Sequence, residues 1–216
     1  MELDLESQIN LEVIITTSSM KNVQVLSLYF TQILASKIPI PIPGNNCEWL
    51  GGSYGVELEC LPGYYVSGVC GSGMNADCGS RLTNKYFYEI RCCPTKYNNK
   101  KQQNCISYGS DAGEKLTCPV LADGVQAAVF GGCGSGMNAD CKASGSKKYT
   151  DSLCCTDQDI TIDNSSCAWR YGSYGEQLTC PDDYIVIGQC GSGRKAACAT
   201  NEHIGINCCP FTDNKS

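Results

Sequence analysis

Three short glycine-rich loops are the stretches of this sequence whose residue types could do chemistry. Two are identical, CGSGMNADC, at Cys70–Cys78 and Cys133–Cys141, and the third, CGSGRKAAC, is at Cys190–Cys198. Glycine-rich turns can present several backbone N–H groups to a phosphate or another anion. Asparagine and aspartate oxygens in the first two copies could instead bind calcium. The loops could equally be scaffold, copied three times.

The surroundings of the loops argue against both ligands. No Gly-Lys-Ser/Thr follows any copy and no helix is predicted after it, so the phosphate-binding motifs are not matched. Calcium would find two side-chain ligands in each of the first two loops and none at the same positions of the third, which is too few. The candidate calcium ligands are Asn75 with Asp77 and Asn138 with Asp140. We therefore favour a structural role, in which the glycines allow a tight, disulfide-closed turn.

The residues at the loop tips are the remaining candidates for binding. Met74 and Met137 occupy the tips of the first two loops, and Arg194 occupies the tip of the third. An exposed methionine on a rigid turn suits insertion into a partner groove or a lipid interface. The sequence thus predicts a binding role for Met74 and Met137.

Aromatic residues recur beside the first cysteine in two of three similar segments. Trp49 and Trp169 follow that cysteine by two positions, and Tyr54 and Tyr174 lie five positions further on, whereas the middle segment has Ser and Ala there. These rings could stack on a sugar or lie at a bilayer interface. Alternatively, they cover the apolar face of a small domain. Their loss from one copy favours binding, because a packing need would recur in every copy.

Groups for catalysis or metal binding are scarce. His203 is the only histidine, so a histidine-dependent triad would exist in one segment alone, and a surface histidine at the start of a strand is the simpler interpretation. A cysteine nucleophile needs a free thiol, and structural zinc sites use Cys-x2-Cys pairs, which are absent. We predict no enzyme activity, no catalytic residue, no metal site and no cofactor.

The loops and aromatics belong to a six-cysteine module that occurs three times. From the first to the second cysteine the distance is 13 positions in every copy, and from the third to the fourth it is 8. All 18 cysteines are used, six per copy, and none is left over. The modules span residues 47–94, 105–156 and 167–211.

Other residues repeat in register and predict β structure. A glycine lies eight positions after each first cysteine, and a leucine lies two before each second cysteine. They are Gly55, Gly113 and Gly175, and Leu58, Leu116 and Leu178. Stretches such as LECLPGYYVSGVC place Tyr and Val between turn residues, and module two has a longer hairpin around Asp123-Gly124. Each module is therefore predicted to be a small antiparallel β unit, joined to the next by about 11 polar residues.

Composition indicates an oxidising compartment. Modules of this size bury too little apolar surface to fold without covalent links, and so many cysteines are typical of secreted disulfide scaffolds. The net charge of −6, with scattered acidic residues, argues against a nucleic-acid partner. No stretch of 18 apolar residues exists. We predict an extracellular location, with Asn164 in an Asn-Ser-Ser glycosylation sequon between modules two and three.

The N-terminal segment, residues 1–46, is of a different character. It begins with an acidic stretch, contains one strand-like and one helix-like pattern, and ends in the Pro-rich linker KIPIPIPG. We predict either the tail of a preceding domain or an imperfect signal sequence beginning near Met20. An upstream domain missing from this chain is one expected partner.

The cysteine order, with Gly-x-Cys at the third position and a terminal Cys-Cys pair, resembles a known tandem arrangement. It is similar to the Cys/His-rich C-terminal domain of the subtilisin/kexin-type proprotein convertases, to the resistin trimer, and to the C-terminal domain of mollusc membrane-attack-complex/perforin proteins. The resemblance covers residues 47–209. It implies an all-β fold of three disulfide-bonded antiparallel modules in a pseudo-threefold arrangement.

The resemblance also implies a disulfide pairing of first with sixth, second with fifth and third with fourth cysteine. Separate partners for adjacent cysteines agree with disulfide geometry. Two departures are the short third-to-fourth spacing and the single histidine, so functions that rest on histidines do not transfer. The implied pairs are Cys47–Cys93, Cys60–Cys92, Cys70–Cys78, Cys105–Cys155, Cys118–Cys154, Cys133–Cys141, Cys167–Cys209, Cys180–Cys208 and Cys190–Cys198.

The resemblance and the loop tips favour a non-enzymatic extracellular binding or targeting module. Such a module would attach a pore-forming, perforin-like partner to a membrane surface, or to a glycan or protein of the cell surface. One alternative is a secreted, lectin-like protein that uses Trp49 and Trp169 on glycans. Another is a structural disulfide-rich matrix protein.

Overall fold

The computed structural model describes most of the chain from residue 46 onward. Within this part all regular structure is antiparallel β, apart from one turn of 3-10 helix at Asn164–Ser166. The all-β prediction is confirmed. The N-terminal patterns in residues 1–45 and the tips Met74, Met137 and Arg194 lie outside the described residues. The described residues are 46–73, 75, 78–79, 86–95, 102–122, 124–134, 138–143, 146–191 and 198–213.

Module one contains four strands. The aromatic and β-branched residues of YYVSGVC form the central strand, as expected for residues that pack well on a pleated surface. The last strand runs antiparallel between the first and the third. The strands are β1 (Glu48–Gly52), β2 (Leu58–Glu59), β3 (Tyr64–Gly71) and β4 (Tyr88–Pro94).

Module two repeats this order and adds a short hairpin. The longer turn predicted around Asp123-Gly124 is confirmed, because Val120 and Gln126 bridge and Gly124 adopts a φ of 78°. Asp123 itself lies outside the described residues. The strands are β5 (Gln103–Ser110), β6 (Leu116–Thr117), β7 (Ala128–Gly134), β8 (Cys141–Ala143), β9 (Ser146–Lys148) and β10 (Thr150–Thr156).

Module three has a strand where the sequence predicted a polar linker. Residues Ile160–Ile162 pair with the C-terminal end of the last strand, where Ile162 lies opposite Phe211. The linker prediction was wrong here, because Ile160 is buried against the apolar residues of that end. The strands are β11 (Ile160–Ile162), β12 (Ala168–Gly172), β13 (Leu178–Thr179), β14 (Tyr184–Gly191) and β15 (Ile204–Asp213).

The modules exchange their shortest strands in a cycle. Strand β2 of module one pairs with β7 of module two, β6 of module two with β14 of module three, and β13 of module three with β3 of module one. Each of the three larger sheets therefore contains one strand from another module, in two sheets of four strands and one of five. A threefold arrangement requires such a cyclic order, and the symmetry itself stays a prediction.

The repeated leucines and glycines lie at these exchanged strands. Each leucine begins the strand that is donated, and the glycine of each Gly-x-Cys lies beside it. A Cβ on Gly68, Gly131 or Gly188 would lie 2.5 Å from the carbonyl oxygen of Leu178, Leu58 or Leu116, respectively. Only glycine allows the donated backbone to approach this closely.

A second repeated contact completes each exchange. Gly55, Gly113 and Gly175 have φ angles of 68°, 77° and 77°, the left-handed region that favours glycine. Their N–H groups donate to Gly134, Gly191 and Gly71, the residues that follow the third cysteine of another module. The in-register residues found in the sequence thus serve contacts between modules.

All eighteen cysteines are bridged, and no free thiol remains. The nine pairs in the structure are the nine that the resemblance implies. The first-to-sixth bridges have the shortest Cα–Cα distance, 4.1 Å in each module.

Two apolar clusters each contain residues of all three modules, and we call the larger one the shared core. Val66, Val129 and Val186 precede their third cysteines by four positions, and each is fully buried in the same cluster. Burying such a side chain contributes about 1.5–3 kcal/mol. The Tyr88 hydroxyl of module one donates to Gln189 Oε1 of module three at 2.7 Å, inside this core. The core therefore depends on all three modules being present.

Candidate functional site

Two of the predicted binding residues have packing roles. The Tyr54 hydroxyl donates to the Gly73 carbonyl at 3.1 Å, and its ring lies 3.5 Å from the ring of Phe87, centroid to centroid. Tyr174 packs against the shared core, and its ring lies within 3.2 Å of where a Gly73 Cβ would be. The two tyrosines thus hold the first glycine loop, which agrees with the covering role that the sequence left open.

The glycine loops are docking surfaces for the neighbouring modules. Module three contacts the first loop through Tyr174, and Gly55 of module one lies against Asp140 at the end of the second loop. Asp140 is half-buried there and Asn75 is exposed, whereas Asp77 lies outside the described residues. These contacts support the structural interpretation of the loops.

His203 precedes strand β15, as the sequence predicted, but it is half-buried rather than at the surface. Its ring stacks on Tyr174 with centroids 4.2 Å apart and planes 3° from parallel. Because its neighbour is an aromatic ring of the docking contact, His203 is a packing residue of the module-three to module-one joint.

On module three, Trp169 stacks with Tyr171, a residue that the sequence analysis did not select. Both side chains project from β12 on the side opposite the core valines, and their ring planes are 7° from parallel with centroids 6.0 Å apart. Two carbons of the Tyr171 ring lie 3.0 and 3.1 Å from where a Gly205 Cβ would be, so this ring lies over the neighbouring strand. We call Trp169 and Tyr171 the aromatic platform.

A cation from module two lies over this platform. The Lys115 ammonium lies 5.4 Å from the Trp169 ring centroid and 4.8 Å from that of Tyr171, within the range of cation–π attraction. Lys115 precedes the donated strand β6, and the exchange brings it across the module boundary. In the part of the chain that is described, no carboxylate pairs with Lys115.

The matching surface of module one has the aromatic residues without the cation. The Trp49 ring reaches across β4 to Gly68. One of its carbons lies 3.2 Å from the position that a Cβ on Gly68 would occupy. The Tyr86 ring covers Gly51, the position that corresponds to Tyr171. Gln177 replaces Lys115, and its amide donates to Glu89 at 2.9 Å. The surface of module one is therefore aromatic but carries no positive charge from the donated strand.

Module two has neither aromatic residue at this position. Ser107 and Gly109 occupy the first strand, and Glu57 precedes the donated strand β2. Asp151 lies opposite Gly109 on the neighbouring strand β10, and it is only 2% exposed. The three modules thus share one backbone but present three different surfaces. Module one has Arg91 opposite Trp49 on its own sheet, and among the described residues only module three has a cation from a donated strand over two aromatic rings.

The Asp151 carboxyl has a perturbed pKa. Its pKa is raised from 3.8 to about 6, mainly by burial and also by the charge of Glu57, while a hydrogen bond from the Ser152 backbone opposes the shift. Glu89, the corresponding buried carboxyl of module one, also has a raised pKa because of burial, but hydrogen bonds from Gln177 and Gly79 lower it. The two carboxyls therefore differ in the side chain that the neighbouring module places beside them, which is Glu57 for Asp151 and Gln177 for Glu89.

The raised pKa of Asp151 predicts that the free energy of unfolding depends on pH. Its folded pKa lies above its unfolded pKa, so the folded state binds the extra proton between about pH 4 and pH 6 and loses stability as the pH rises through this window. We expect a loss on the order of 1–2 kcal/mol, discounted for solvent screening. Asp151→Asn should remove this slope in denaturant unfolding measured from pH 4 to pH 7.

Glu57→Gln should reduce the same slope, and Glu59→Gln, an exposed carboxylate two positions further along, should leave it unchanged. A slope that is identical in the wild type and in Asp151→Asn would contradict the assignment to this carboxyl.

Groups for catalysis and metal binding stay poorly supported where the structure can be described. The sulfur atoms of Cys70 and Cys78 lie near Glu89, but they form a disulfide and carry no thiolate for a metal. A cavity where the three modules meet, between Tyr88, Thr150 and Ile204, has a volume of about 20 Å³, which suits one water molecule rather than a substrate. No helix in the described residues is long and apolar enough to cross a bilayer.

Asn164 is exposed at the start of the 3-10 turn, and its amide donates to Gln126 Oε1 at 3.0 Å. Ser165 and Ser166 of the sequon are also exposed. The turn is accessible for glycosylation, which stays a prediction.

Sequence reasoning missed Tyr171 and Lys115. A signal for Tyr171 was present, because it lies two positions after Trp169 and alternate residues of a strand share one face. Lys115 had no such signal, since it reaches the platform through a strand exchange between modules.

No family model matches this chain, and no curated protein matches its sequence.

Proposed function

We propose that this chain is a non-enzymatic extracellular module that attaches to a cell surface or membrane. The six-cysteine framework supports a targeting role for a pore-forming, perforin-like protein, of which these three modules would be the C-terminal part. The observation that carries the proposal is the position of the aromatic side chains. Trp49, Trp169 and Tyr171 lie on sheet faces opposite the shared core, although apolar packing alone would favour placing them inside.

The covalent frame supports this function. Nine disulfides hold each module internally and three strand exchanges join the modules, so the residues on the described outer faces are preorganised. Binding to a preorganised surface avoids the entropy of ordering it. The number of disulfides also fits an oxidising, extracellular location.

The lectin-like alternative is favoured by one specific feature, the aromatic platform with its cation. A glycan of the cell surface would make this alternative a form of the same attachment function, in which the sugar is the ligand.

The membrane form of the proposal predicts flotation of the oxidised chain with liposomes. Met74→Ser combined with Met137→Ser should abolish flotation, because a serine does not insert into the lipid interface. Val120→Ser is the control, since Val120 is a large hydrophobic residue that is 56% exposed and belongs to the hairpin of module two rather than to a glycine loop.

Flotation that survives in the methionine double variant would contradict insertion of the loop tips. If no variant floats on anionic, neutral or sterol-containing lipid and the wild type does not bind cells, the attachment function is wrong and a structural role takes its place.

A further inference from the structure

We propose that Trp169, Tyr171 and Lys115 form a binding site for a pyranose that carries a carboxylate, such as the terminal uronic or sialic acid of a glycan. The inference rests on the proposed attachment function and names its ligand. It follows from the shape of the platform, the position of the cation and the comparison of the three modules.

The platform offers aromatic faces to a sugar ring. Trp169 and Tyr171 are stacked with nearly parallel planes, both are half-buried, and the Tyr171 ring lies close to Gly205 of the neighbouring strand. The face of an aromatic ring is negative, so it attracts the weakly positive C–H groups on one face of a pyranose. Insertion into lipid would instead require side chains that project beyond the surface, and this geometry favours a flat ligand.

Lys115 determines the charge of the ligand. Its ammonium lies over both rings, so any sugar that stacks on them must displace it. A sugar with a carboxylate can pair with the displaced ammonium through a charge-assisted hydrogen bond, which is stronger than the neutral hydrogen bond that an uncharged sugar offers. Lys115 is exposed and has no carboxylate partner among the described residues, which leaves it available for this pairing.

The other two modules provide natural comparisons for the site. Module one has Trp49 at the matching position but Gln177 in place of Lys115, and Gln177 is engaged by Glu89. Module two has Glu57 in place of the cation and Ser107 in place of the tryptophan. Module one does have a cation, Arg91, opposite Trp49 on its own sheet. Among the described residues, however, a cation lies over two stacked rings in module three alone, so we expect a carboxylate sugar to bind there.

The test compares two probes that differ in the carboxylate alone, methyl glucuronide and methyl glucoside, each displayed on a polymer. Binding of the full, disulfide-bonded chain is measured by biolayer interferometry. We expect the glucuronide polymer to bind about tenfold more tightly than the glucoside polymer. Lys115→Gln, which removes the charge and keeps a polar side chain like that of Gln177 at the matching position, should remove this preference, and Lys115→Arg should retain it.

Trp169→Ala should abolish binding of both polymers, and Trp49→Ala, the matched substitution on module one, should leave both unchanged. Unfolding of each variant is measured in parallel. Lys115→Gln keeps the test decisive if Trp169→Ala does not fold, since Lys115 is exposed.

Equal binding of the two polymers by the wild type would overturn the proposal, as would a glucuronide preference that survives in Lys115→Gln. A carboxylate ligand could come from a lipid headgroup or from a sugar. Liposomes with phosphatidylserine, whose headgroup carries a carboxylate, distinguish these two sources. If Lys115→Gln loses liposome binding while the wild type ignores glucuronide, the ligand is a lipid and the sugar proposal is wrong.

A cell-binding experiment distinguishes a failure of the sugar-site proposal from a failure of the proposed attachment function. Attachment to cells that is equal in the wild type, Lys115→Gln and Trp169→Ala would reject the sugar site and keep the attachment function. Absence of attachment to cells and to liposomes would reject both.

Discussion

Gly131→Ala should lower the free energy of unfolding by about 2–3 kcal/mol, the cost expected when a tightly packed position is enlarged. The new Cβ would lie 2.5 Å from the Leu58 carbonyl oxygen and 3.0 Å from the Glu59 Cα. Both are backbone atoms of the strand that module one donates, so no flexible side chain can move aside. The donated strand must shift, and the shift should weaken the joint between modules one and two.

Hydrogen exchange locates this effect. The Cys60 N–H donates to the Phe130 carbonyl at 2.9 Å across the same joint, so its exchange should accelerate in Gly131→Ala more than exchange elsewhere in module one. Denaturant unfolding gives the magnitude.

Two comparisons control for other causes. Gly124→Ala places a Cβ where no atom lies within 4 Å, but at a φ of 78°, so its expected cost of about 1 kcal/mol reflects backbone conformation alone. Gly68→Ala and Gly188→Ala meet a leucine carbonyl at the same 2.5 Å and should resemble Gly131→Ala. Widely different costs among the three would contradict the repeated backbone contact as the cause.

Removal of a disulfide should cost most where the bridge closes a long segment. Cys118–Cys154 spans 36 positions and lies in the core, whereas Cys133–Cys141 spans 8. Loop-closure entropy predicts a loss of about 4 kcal/mol for the first and about 2.5 kcal/mol for the second. The double alanine variant of the first pair also leaves a cavity in the shared core, which increases the difference.

Thermal unfolding of the two double alanine variants checks this order. Since the third-to-fourth bridges hold loops against neighbouring modules, the Cys133–Cys141 variant should stay folded with a lower melting temperature. An equal or larger loss for that variant would mean that docking of the loop, rather than the length of the closed segment, dominates.

The all-β fold was predictable because its signals are local. Alternating Tyr and Val residues between turn residues indicate strands, and a repeated spacing of cysteines defines the modules without reference to distant contacts. Strand β11 was not predictable in this way. Its three residues become a strand only because Phe211 and the end of β15 provide a pairing edge and an apolar surface.

The candidate site was predictable only in part. Trp169 could be selected because it repeats with Trp49, and Tyr171 follows from alternation along a strand. Lys115 lies 54 positions before Trp169 in another module, and no pattern along the chain connects the two. Tyr54 and Tyr174, which the sequence selected together with the tryptophans, have packing contacts instead. Equal spacing from the first cysteine does not determine which neighbours a side chain contacts in the folded protein.

The sequence by itself determined the modules, their β structure and the need for disulfides, since composition, short-range alternation and cysteine spacing act within each module. The tertiary structure decided which surfaces the modules present. Cyclic strand exchange places Glu57, Lys115 and Gln177 on the faces of other modules, where each meets a different set of side chains. The physical reason is that a donated strand pairs through its backbone, which is the same in every copy, while the adjacent side chain is free to differ.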